Sequence, residues 1–516
     1  MKPGNTIALI GGNINFSGGI LTAPDGRIEI GSVSEGKIGI NSSSKNWKFD
    51  YSSIQQFKDI QLDKLSLLDT SGSGNINLQA GKVTLLGGSY VLSQSAGSLS
   101  PGDISVTATK SLNIIGNTST FGLDNPLSPA KVRTGIVSQV SSGRGANISI
   151  LTNDLFLQLS GGVTSYANPS GTGGNISIKS LNSIQIRGYS PIDPVNNTNV
   201  IGTVSSGNAN SGNIDISTLN LQIQNGGSIA TATFGLGNSG DLRINALKKI
   251  YLDGINPVTL GPSAVITLTL GAGNSGNLNI NTQQLTISSG GGVASSTQGF
   301  GGSAGNVIIN ASDFIDVSGT ARGSLPGLVF PSFILASGNK IDPVVAQLFG
   351  VSSIPTASSG NITINTNRLS VTNGGQVTVK NDGTGAAGVL RINAGAILLD
   401  SQGSITAATA SNRGGNIFLN AQNLQLRNSS ISATATSGNG NGGNITINTD
   451  TLLATQNSKV TARANNGNGG HITVKTQGLV TDQGFFSLSN KPSDLCECSH
   501  HQTKFGVSFS TNPAIA

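Results

Sequence analysis

A five-residue motif, Gly-(Asn/Asp)-apolar-x-apolar, recurs about thirteen times and constrains the fold more than any other feature of this chain. Many neighbouring copies lie 27 to 29 residues apart, and the others are separated by longer intervals. A fixed period in this range is typical of a solenoid, in which each repeat buries its apolar face against its neighbours. The second residue of each copy falls at Asn75, Asp103, Asn147, Asn175, Asn213, Asp241, Asn277, Asn306, Asn361, Val389, Asn416, Asn444 and His471.

One repeat contains three short segments in which apolar and polar residues alternate. In residues 443–470 these segments are 444–447, 452–453 and 460–464, and they are separated by corners rich in Gly and Asn. Alternation with period two predicts strands, and the corners favour the positive φ angles of tight turns. The fold class that follows is all-β: a right-handed, single-stranded parallel β-helix with three short strands per coil. Its repeats are about 28 residues long, and the recurring Asn residues are expected to form a ladder between coils.

The spacing also predicts the domain boundaries. Residues 1–66 are an entry region of irregular coils, 67–478 are the regular β-helix, and 479–516 are an irregular or disordered tail. Four long repeats carry extra residues rich in Pro and aromatic side chains. These insertions are expected at the corner between the second and third strands, at about 117–133, 189–203, 255–263 and 320–358.

Two interpretations of these insertions stay open. Insertions that map to one face of a solenoid often form its binding face. Alternatively, they are loops that the fold tolerates because closing a longer loop costs little free energy.

Composition and charge exclude several classes of function. The net charge of +6 is spread over 516 residues, without the concentrated basic stripe that nucleic-acid binding requires. No apolar stretch approaches the length of a membrane-spanning helix. The apolar run at 7–10 is too short for a signal peptide, so either the chain is intracellular or its true N-terminus lies upstream.

The sequence predicts neither catalytic nor cofactor-binding residues. Arg243 and Arg391 occupy outward positions without an evident carboxylate companion, and His471 occupies a position of the Asn ladder. Cys496, Cys498, His500 and His501 have the side chains of zinc ligands, but their spacing matches no usual zinc motif, so we predict no metal site. The alternative is a carbohydrate-active β-helix enzyme of the pectin lyase type, which would need clustered carboxylates on one face.

Residues 439–474, GNGGNITINTDTLLATQNSKVTARANNGNGGHITV, resemble the filamentous-haemagglutinin-like exoproteins of two-partner secretion systems, in particular the cyanobacterial type. The opening, KPGNTIALIGGNINFSGGILTAPDGRIEIGSV at 2–33, looks like the stretch that follows the N-terminal secretion domain in that family. The Asn-Pro-Asn motifs of that domain are absent. The chain is therefore expected to lack the secretion domain.

The resemblance implies a secreted or cell-surface adhesin or haemagglutinin-type structural protein that is not an enzyme and binds through its corner loops. The implied partners are cell-surface glycans or other cells, and an outer-membrane two-partner transporter for the full-length protein. A non-functional fragment of a larger exoprotein is a further alternative. Export of this chain alone stays open at this stage, as does the identity of any ligand.

Overall fold

The computed structural model describes residues 2–41, 47–95, 97, 100–116, 134–189, 200–298, 301–323, 327–340, 343, 347, 353–410, 414–436, 440–465, 467–482, 485–487 and 507–510. The chain divides into two compact units. The first is Met1–Leu247 with Ile255–Ala264, and the second is Lys248–Gly254 with Val265–Ala516. Each unit is built from coils of parallel strands.

The strands of the first unit, in chain order, begin with short ones and continue as alternating long and short strands. They are β1 (Thr6–Gly11), β2 (Ile14–Ser17), β3 (Ile20–Thr22), β4 (Arg27–Ser32), β5 (Gly39–Asn41), β6 (Lys48–Asp50), β7 (Ile60–Asp63), β8 (Leu67–Asp69), β9 (Asn75–Leu85), β10 (Tyr90–Ser95), β11 (Ile104–Ile115), β12 (Thr134–Arg144), β13 (Ile148–Gln158), β14 (Gly161–Thr172), β15 (Ile176–Arg187), β16 (Val200–Ser205), β17 (Ile214–Gln224) and β18 (Ser228–Thr233). Strands β19 (Leu242–Asp253) and β20 (Ala264–Thr269) include residues of both units.

The second unit continues the alternation of long and short strands. Its strands are β21 (Leu278–Ser288), β22 (Gly292–Thr297), β23 (Val307–Ser318), β24 (Thr320–Arg322), β25 (Val329–Pro331), β26 (Phe333–Gly338), β27 (Ile362–Thr372), β28 (Gln376–Asn381), β29 (Leu390–Asp400), β30 (Ser404–Thr409), β31 (Ile417–Arg427), β32 (Ser430–Ala435), β33 (Ile445–Thr455), β34 (Lys459–Thr461), β35 (Ile472–Lys475), β36 (Gly478–Thr481), β37 (Phe486–Ser487) and β38 (Val507–Ser510).

Equivalent strands of successive coils pair in parallel, which confirms the parallel β-helix. In the first unit β9, β11, β13, β15 and β17 pair in that order, as do β8, β10, β12, β14, β16 and β18. In the second unit the two series are β21, β23, β27, β29, β31 and β33, and β22, β26, β28, β30, β32 and β34. Only neighbouring coils need to match, so the motif can repeat indefinitely.

The structure differs from the sequence prediction in how the strands are divided. The first two predicted strands of a repeat form one continuous strand, such as β27. Its burial alternates from Ile362 to Ile364, is interrupted by the outward residues Asn367 and Arg368, and resumes at Leu369. Two successive outward residues bend the strand without breaking its backbone pairing, so one long strand supplies two faces of the coil. The short strand supplies the third face.

A tight turn joins each long strand to the short strand that follows. After β27 the turn contains Asn373 (φ 53°) and Gly374 (φ 80°), both in the left-handed region. Asn and Gly tolerate this conformation better than other residues. In three long repeats Gly188, Gly254 and Gly319 follow the strand with φ between 78° and 82°, and the extra residues begin there.

The core of each unit is narrow and aliphatic. The inward residues of the strands are mainly Ile, Leu, Val and Ala with almost no exposed surface. Full burial of one such Leu or Ile contributes roughly 1.5–3 kcal/mol relative to exposure. Most aromatic side chains lie outside this core because three converging strands leave little room for a ring.

Candidate functional site

The insertion at 255–263 is an ordered turn built around Asn256. This residue has no exposed surface, and its Oδ1 accepts hydrogen bonds from the backbone N–H groups of Val258 (2.9 Å) and Thr259 (3.2 Å). Its own N–H donates to the carbonyl oxygen of Gly261 at 2.8 Å. The buried Asn therefore fixes the shape of the loop and presents Val258, which is 51% exposed, to solvent.

The insertion at 320–358 begins with a small antiparallel hairpin. Strand β24 pairs with β25, with Ala321 opposite Phe330, and the hairpin exposes Leu328 (44%) and Val329 (51%). Residues 117–133 and 190–199 of the other two predicted insertions lie outside the described residues, as do most of 341–352. The use of these insertions as a binding face stays a prediction.

A second surface feature lies where the long strands of the second unit bend. Here four successive coils form an open groove of about 430 Å³, which we call the corner groove. It is built from strands β23, β27, β29 and β31. Its lining residues are Ser312, Asp313, Phe314, Asn367, Arg368, Gly395, Ala396, Gln422 and Asn423.

Arg368 and Phe314 form one end of the corner groove. They are direct partners in the pairing of β23 with β27, and the guanidinium carbon of Arg368 lies 5.1 Å from the centre of the Phe314 ring. Stacking on an aromatic face holds a guanidinium in place without using its N–H donors. Those N–H groups have no hydrogen-bond partner among the described residues.

Gly395 creates the depth of the corner groove. The corresponding corner residues of neighbouring coils, Asn367 and Gln422, carry full side chains. A Cβ atom at Gly395 would lie 2.7 Å from Oδ1 and 2.8 Å from the backbone oxygen of Asn367. Both distances are too short for a Cβ atom, so the close packing favours glycine at this position. The surface of the coil is therefore lower here than in the neighbouring coils. The next residue, Ala396, adds only a methyl group.

Charged groups of both signs lie in and beside the groove. Asp313 accepts hydrogen bonds from Ser312 Oγ at 3.1 Å and from Gln284 Nε2 at 3.4 Å. Partial burial raises the pKa of the Asp316 carboxyl, and the nearby charge of Arg368 opposes that change. The groove thus combines the guanidinium of Arg368 and the carboxyl group of Asp313 with the neutral amides of the corner residues, and Asp316 interacts with Arg368 from beside it.

A buried carboxylate in the N-terminal coils is held by three other side chains. Glu29 has no exposed surface and forms an ion pair with Arg27 at 2.6 Å. Its Oε1 accepts hydrogen bonds from Tyr51 Oη at 2.8 Å and from Asn77 Nδ2 at 2.6 Å. Burial raises the pKa of Tyr51 well above its usual value, and the charge of Glu29 adds to this effect. Tyr51 lies in the segment between β4 and β7, which we call the excursion. The network links this segment to strands β4 and β9.

Tyr51 also takes part in local aromatic packing within residues 47–57. Its ring centre lies 6.3 Å from that of Phe57, and Trp47 lies 6.5 Å from Phe49. These contacts keep the aromatic rings of the excursion together outside the aliphatic core.

The predicted Asn ladder is confirmed, with a specific geometry. The side-chain oxygen of each Asn or Asp accepts a hydrogen bond from the backbone N–H of the equivalent residue one coil later, at 2.7 to 3.1 Å within each unit. The last donor in this series is the backbone N–H of His471, which bonds to Oδ1 of Asn444 at 2.9 Å.

A second ladder was not predicted from the sequence. Asn281, Asn310, Asn365, Asn393, Asn420 and Asn448 are linked by five amide-to-amide hydrogen bonds of 2.8 to 2.9 Å. Each lies four residues after the motif position, so extending the motif to Gly-Asn-apolar-x-apolar-Asn would have revealed it. Phe314, Arg368 and Gly395 were also missed, because their closeness depends on which coil lies next to which.

The two arginines singled out in the sequence are far less isolated than expected. Arg243 pairs with Asp215 of the preceding coil, with 3.4 Å between Nη1 and Oδ1, so the expectation that it lacks a carboxylate companion was wrong. Arg391 stacks on Phe418, with its guanidinium carbon 4.6 Å from the ring centre. Neither arrangement resembles a catalytic carboxylate pair.

A separate groove of about 450 Å³ lies on the outer face of the short strands in the first unit. Tyr90 and Tyr166 flank it, and Gly135 and Gly162 form its floor. These glycines have no side chains to fill the space between their bulky neighbours, which creates the groove. Its lining is mostly apolar.

Within the described residues, no group of three or more His, Cys, Asp or Glu side chains could hold a metal ion. Cys496, Cys498, His500 and His501 lie outside that part of the chain. Over the same described part, no helix is both long and apolar enough to span a membrane.

A comparison with known protein families gives a match in the N-terminal coils, which contain the Glu29 network. Residues 1–85 match the TPS secretion domain. The prediction that the chain lacks this domain was therefore wrong. It relied on the absence of Asn-Pro-Asn motifs, whereas the match includes all of the opening coils from β1 to β9. No curated protein and no solved structure matches the chain.

The TPS secretion domain supports a two-partner-secretion exoprotein. Proteins of this family are secreted, and the domain implies an outer-membrane transporter as partner. The match extends past the predicted entry region 1–66 into β9, and it gives the Glu29 network a place inside the domain. The boundaries at 66 and 478 stay predictions. Strands β36, β37 and β38 lie at or within the predicted tail.

Proposed function

We propose that this protein is a secreted or cell-surface structural protein of the adhesin or haemagglutinin type, without catalytic activity. The observation that carries the proposal is the TPS secretion domain at 1–85, followed in the same chain by parallel β-helix coils. A secretion domain directs the chain to its transporter, and coils that pair only with their neighbours provide an extended surface for contact.

The partners we propose are cell-surface glycans or other cells. The ordered corner loops support this proposal because they expose apolar side chains away from the core. Val329 of the β24–β25 hairpin and Val258 of the 255–263 loop are each 51% exposed. Exposed apolar residues contribute to contact surfaces when they are grouped, and Val329 has the exposed Leu328 beside it.

Adhesion of cells to beads coated with the purified chain tests this proposal. We expect the beads to retain cells, and we expect replacement of Val329 by Ser to reduce retention more than the matched replacement of Val258. Retention that the Val329 replacement leaves unchanged would remove the hairpin from the contact surface. Failure of the unmodified, folded chain to retain cells would refute the adhesin function itself.

A further inference from the structure

We infer that the corner groove is a binding site for a neutral polysaccharide. This inference rests on the proposed function, because a secreted contact protein meets the polysaccharides of cell surfaces. It adds a site that lies apart from the corner insertions and names the chemical class of its ligand.

The shape of the groove suits an extended chain. Phe314, Arg368, Ala396 and Asn423 are direct partners in successive strands. With coils about 4.8 Å apart, this row is roughly 14 Å long. Its low point is at Gly395 and Ala396, with Arg368 rising on one side and Asn423 on the other. An elongated ligand can therefore lie along this row, with its middle in the depression at Ala396 and its ends against Arg368 and Asn423.

The polar groups of the groove suit hydroxyl ligands. Sugar hydroxyls both donate and accept hydrogen bonds, and the groove offers both functions at close spacing. The guanidinium of Arg368 presents N–H donors without a protein partner among the described residues, and Asp313 presents a carboxylate acceptor. Asn367 and Gln422 each offer an amide that donates and accepts, and Asn423 offers its amide N–H groups while its Oδ1 accepts a hydrogen bond from Thr451 Oγ1 at 2.7 Å.

Charge decides between neutral and acidic polysaccharides. Arg368 and Asp313 both line the groove, and the carboxyl group of Asp316 beside it interacts electrostatically with Arg368. An acidic polymer would gain attraction from one group and meet repulsion from the others. A neutral ligand avoids this repulsion and still uses every donor and acceptor.

The groove is also rigid before any ligand binds. Its residues lie on paired strands, and Arg368 is held against the ring of Phe314. Rigid donors lose little conformational entropy on binding, which favours affinity even in a shallow site.

Affinity electrophoresis of the purified full chain tests the site. The neutral probes are cellohexaose-substituted gel, mannan and dextran, and the acidic probes are polygalacturonate and alginate. Three variants complete the design: Arg368→Gln removes the guanidinium, Ala396→Trp fills the depression, and Arg391→Gln is the control. Arg391 also stacks on a phenylalanine, Phe418, but it does not line the groove.

We expect retention by at least one neutral probe, with little change between about 0.05 and 0.5 M salt, because screening weakens charge attraction only. Arg368→Gln and Ala396→Trp should each weaken retention about tenfold or more, whereas Arg391→Gln should not change it. Circular dichroism of each variant shows whether it is folded. If Ala396→Trp does not fold, Arg368→Lys replaces it as the second variant, since it keeps the charge but loses the planar fork.

Absence of retention by every neutral probe would overturn the inference. Salt-sensitive retention by acidic probes alone would do the same, as would retention that all groove variants leave unchanged. If cells still adhere to beads while neutral polysaccharides do not bind, the adhesin function stands and only this site fails.

Discussion

The side-chain amide of Asn365 donates a hydrogen bond to Oδ1 of Asn310 at 2.8 Å, although 55 residues separate the two in sequence. The interval between them includes the longest insertion of the chain. The second Asn ladder therefore continues past this insertion without a change of register. It shows that the insertion leaves and re-enters the β-helix without displacing the coils on either side.

Replacement of Asn365 by Ala should weaken the coil to which it belongs. Asn365 donates to Asn310 and accepts from Asn393, each at 2.8 Å, and both bonds would be lost. Because the site is partly exposed, we expect a cost of about 1–2 kcal/mol. Hydrogen exchange in 361–388 measures it locally, as repeat arrays need not unfold in two states. Thr363→Ala, on the same face of β27, is the control, and equal loss of protection in both variants would contradict the ladder's role.

Replacement of Glu29 by Gln should destabilise the N-terminal coils by about 3 kcal/mol, because it leaves Arg27 without its buried counter-charge. Trp47 is the single tryptophan of the chain and lies in the same excursion as Tyr51, so its fluorescence reports on this region during urea unfolding. Glu35→Gln changes an exposed carboxylate of the same region and serves as the control. An unchanged urea midpoint in the Glu29 variant would show that the network does not stabilise the domain.

The contribution of Tyr51 should depend on pH. Its pKa is raised in the folded protein, so its stabilising effect is complete below the unfolded value, which is about 10, and is lost as pH rises above it. The difference in stability between the native protein and Tyr51→Phe should therefore shrink above about pH 10. Trp47 fluorescence during urea unfolding at a series of pH values measures this difference. A difference that is constant from neutral to alkaline pH would contradict the raised pKa.

Replacement of Phe485 by Ala should loosen the coil that contains β34. Phe485 is 3% exposed, packs edge-on against Phe486 with 4.5 Å between ring centres, and accepts a hydrogen bond from the N–H of Val460 through its carbonyl. Truncation of a buried Phe costs roughly 3–5 kcal/mol. Hydrogen exchange at 459–464 should become faster. Leu479→Ala, which truncates a residue that is 39% exposed, should have little effect, and the reverse order would contradict this role.

The β-helix itself could be predicted because its determinants are local and repeated. Each Gly-Asn-apolar-x-apolar copy marks an inward alternation and a corner, so the parallel stacking follows from the period. The fusion of two predicted strands into one, as in β27, could not be predicted. Two consecutive outward residues look like a loop in the sequence, but the backbone pairing continues through them.

The corner groove could not be predicted for a different reason. Phe314 and Arg368 are brought together by an insertion whose length does not show in their local sequence. Gly395 resembles any other corner glycine until its close approach to Asn367 is known. The Tyr51–Glu29 contact likewise depends on how the excursion folds back, which no local pattern specifies.

We expect residues 1–85 to direct this chain to a two-partner transporter. The most direct test is to express the tagged chain with its outer-membrane transporter and to measure the protein in the medium and at the cell surface. Export should require both the transporter and residues 1–85, and a variant from which 1–85 are deleted should stay in the cell. Export that is unchanged without residues 1–85, or without the transporter, would contradict this expectation.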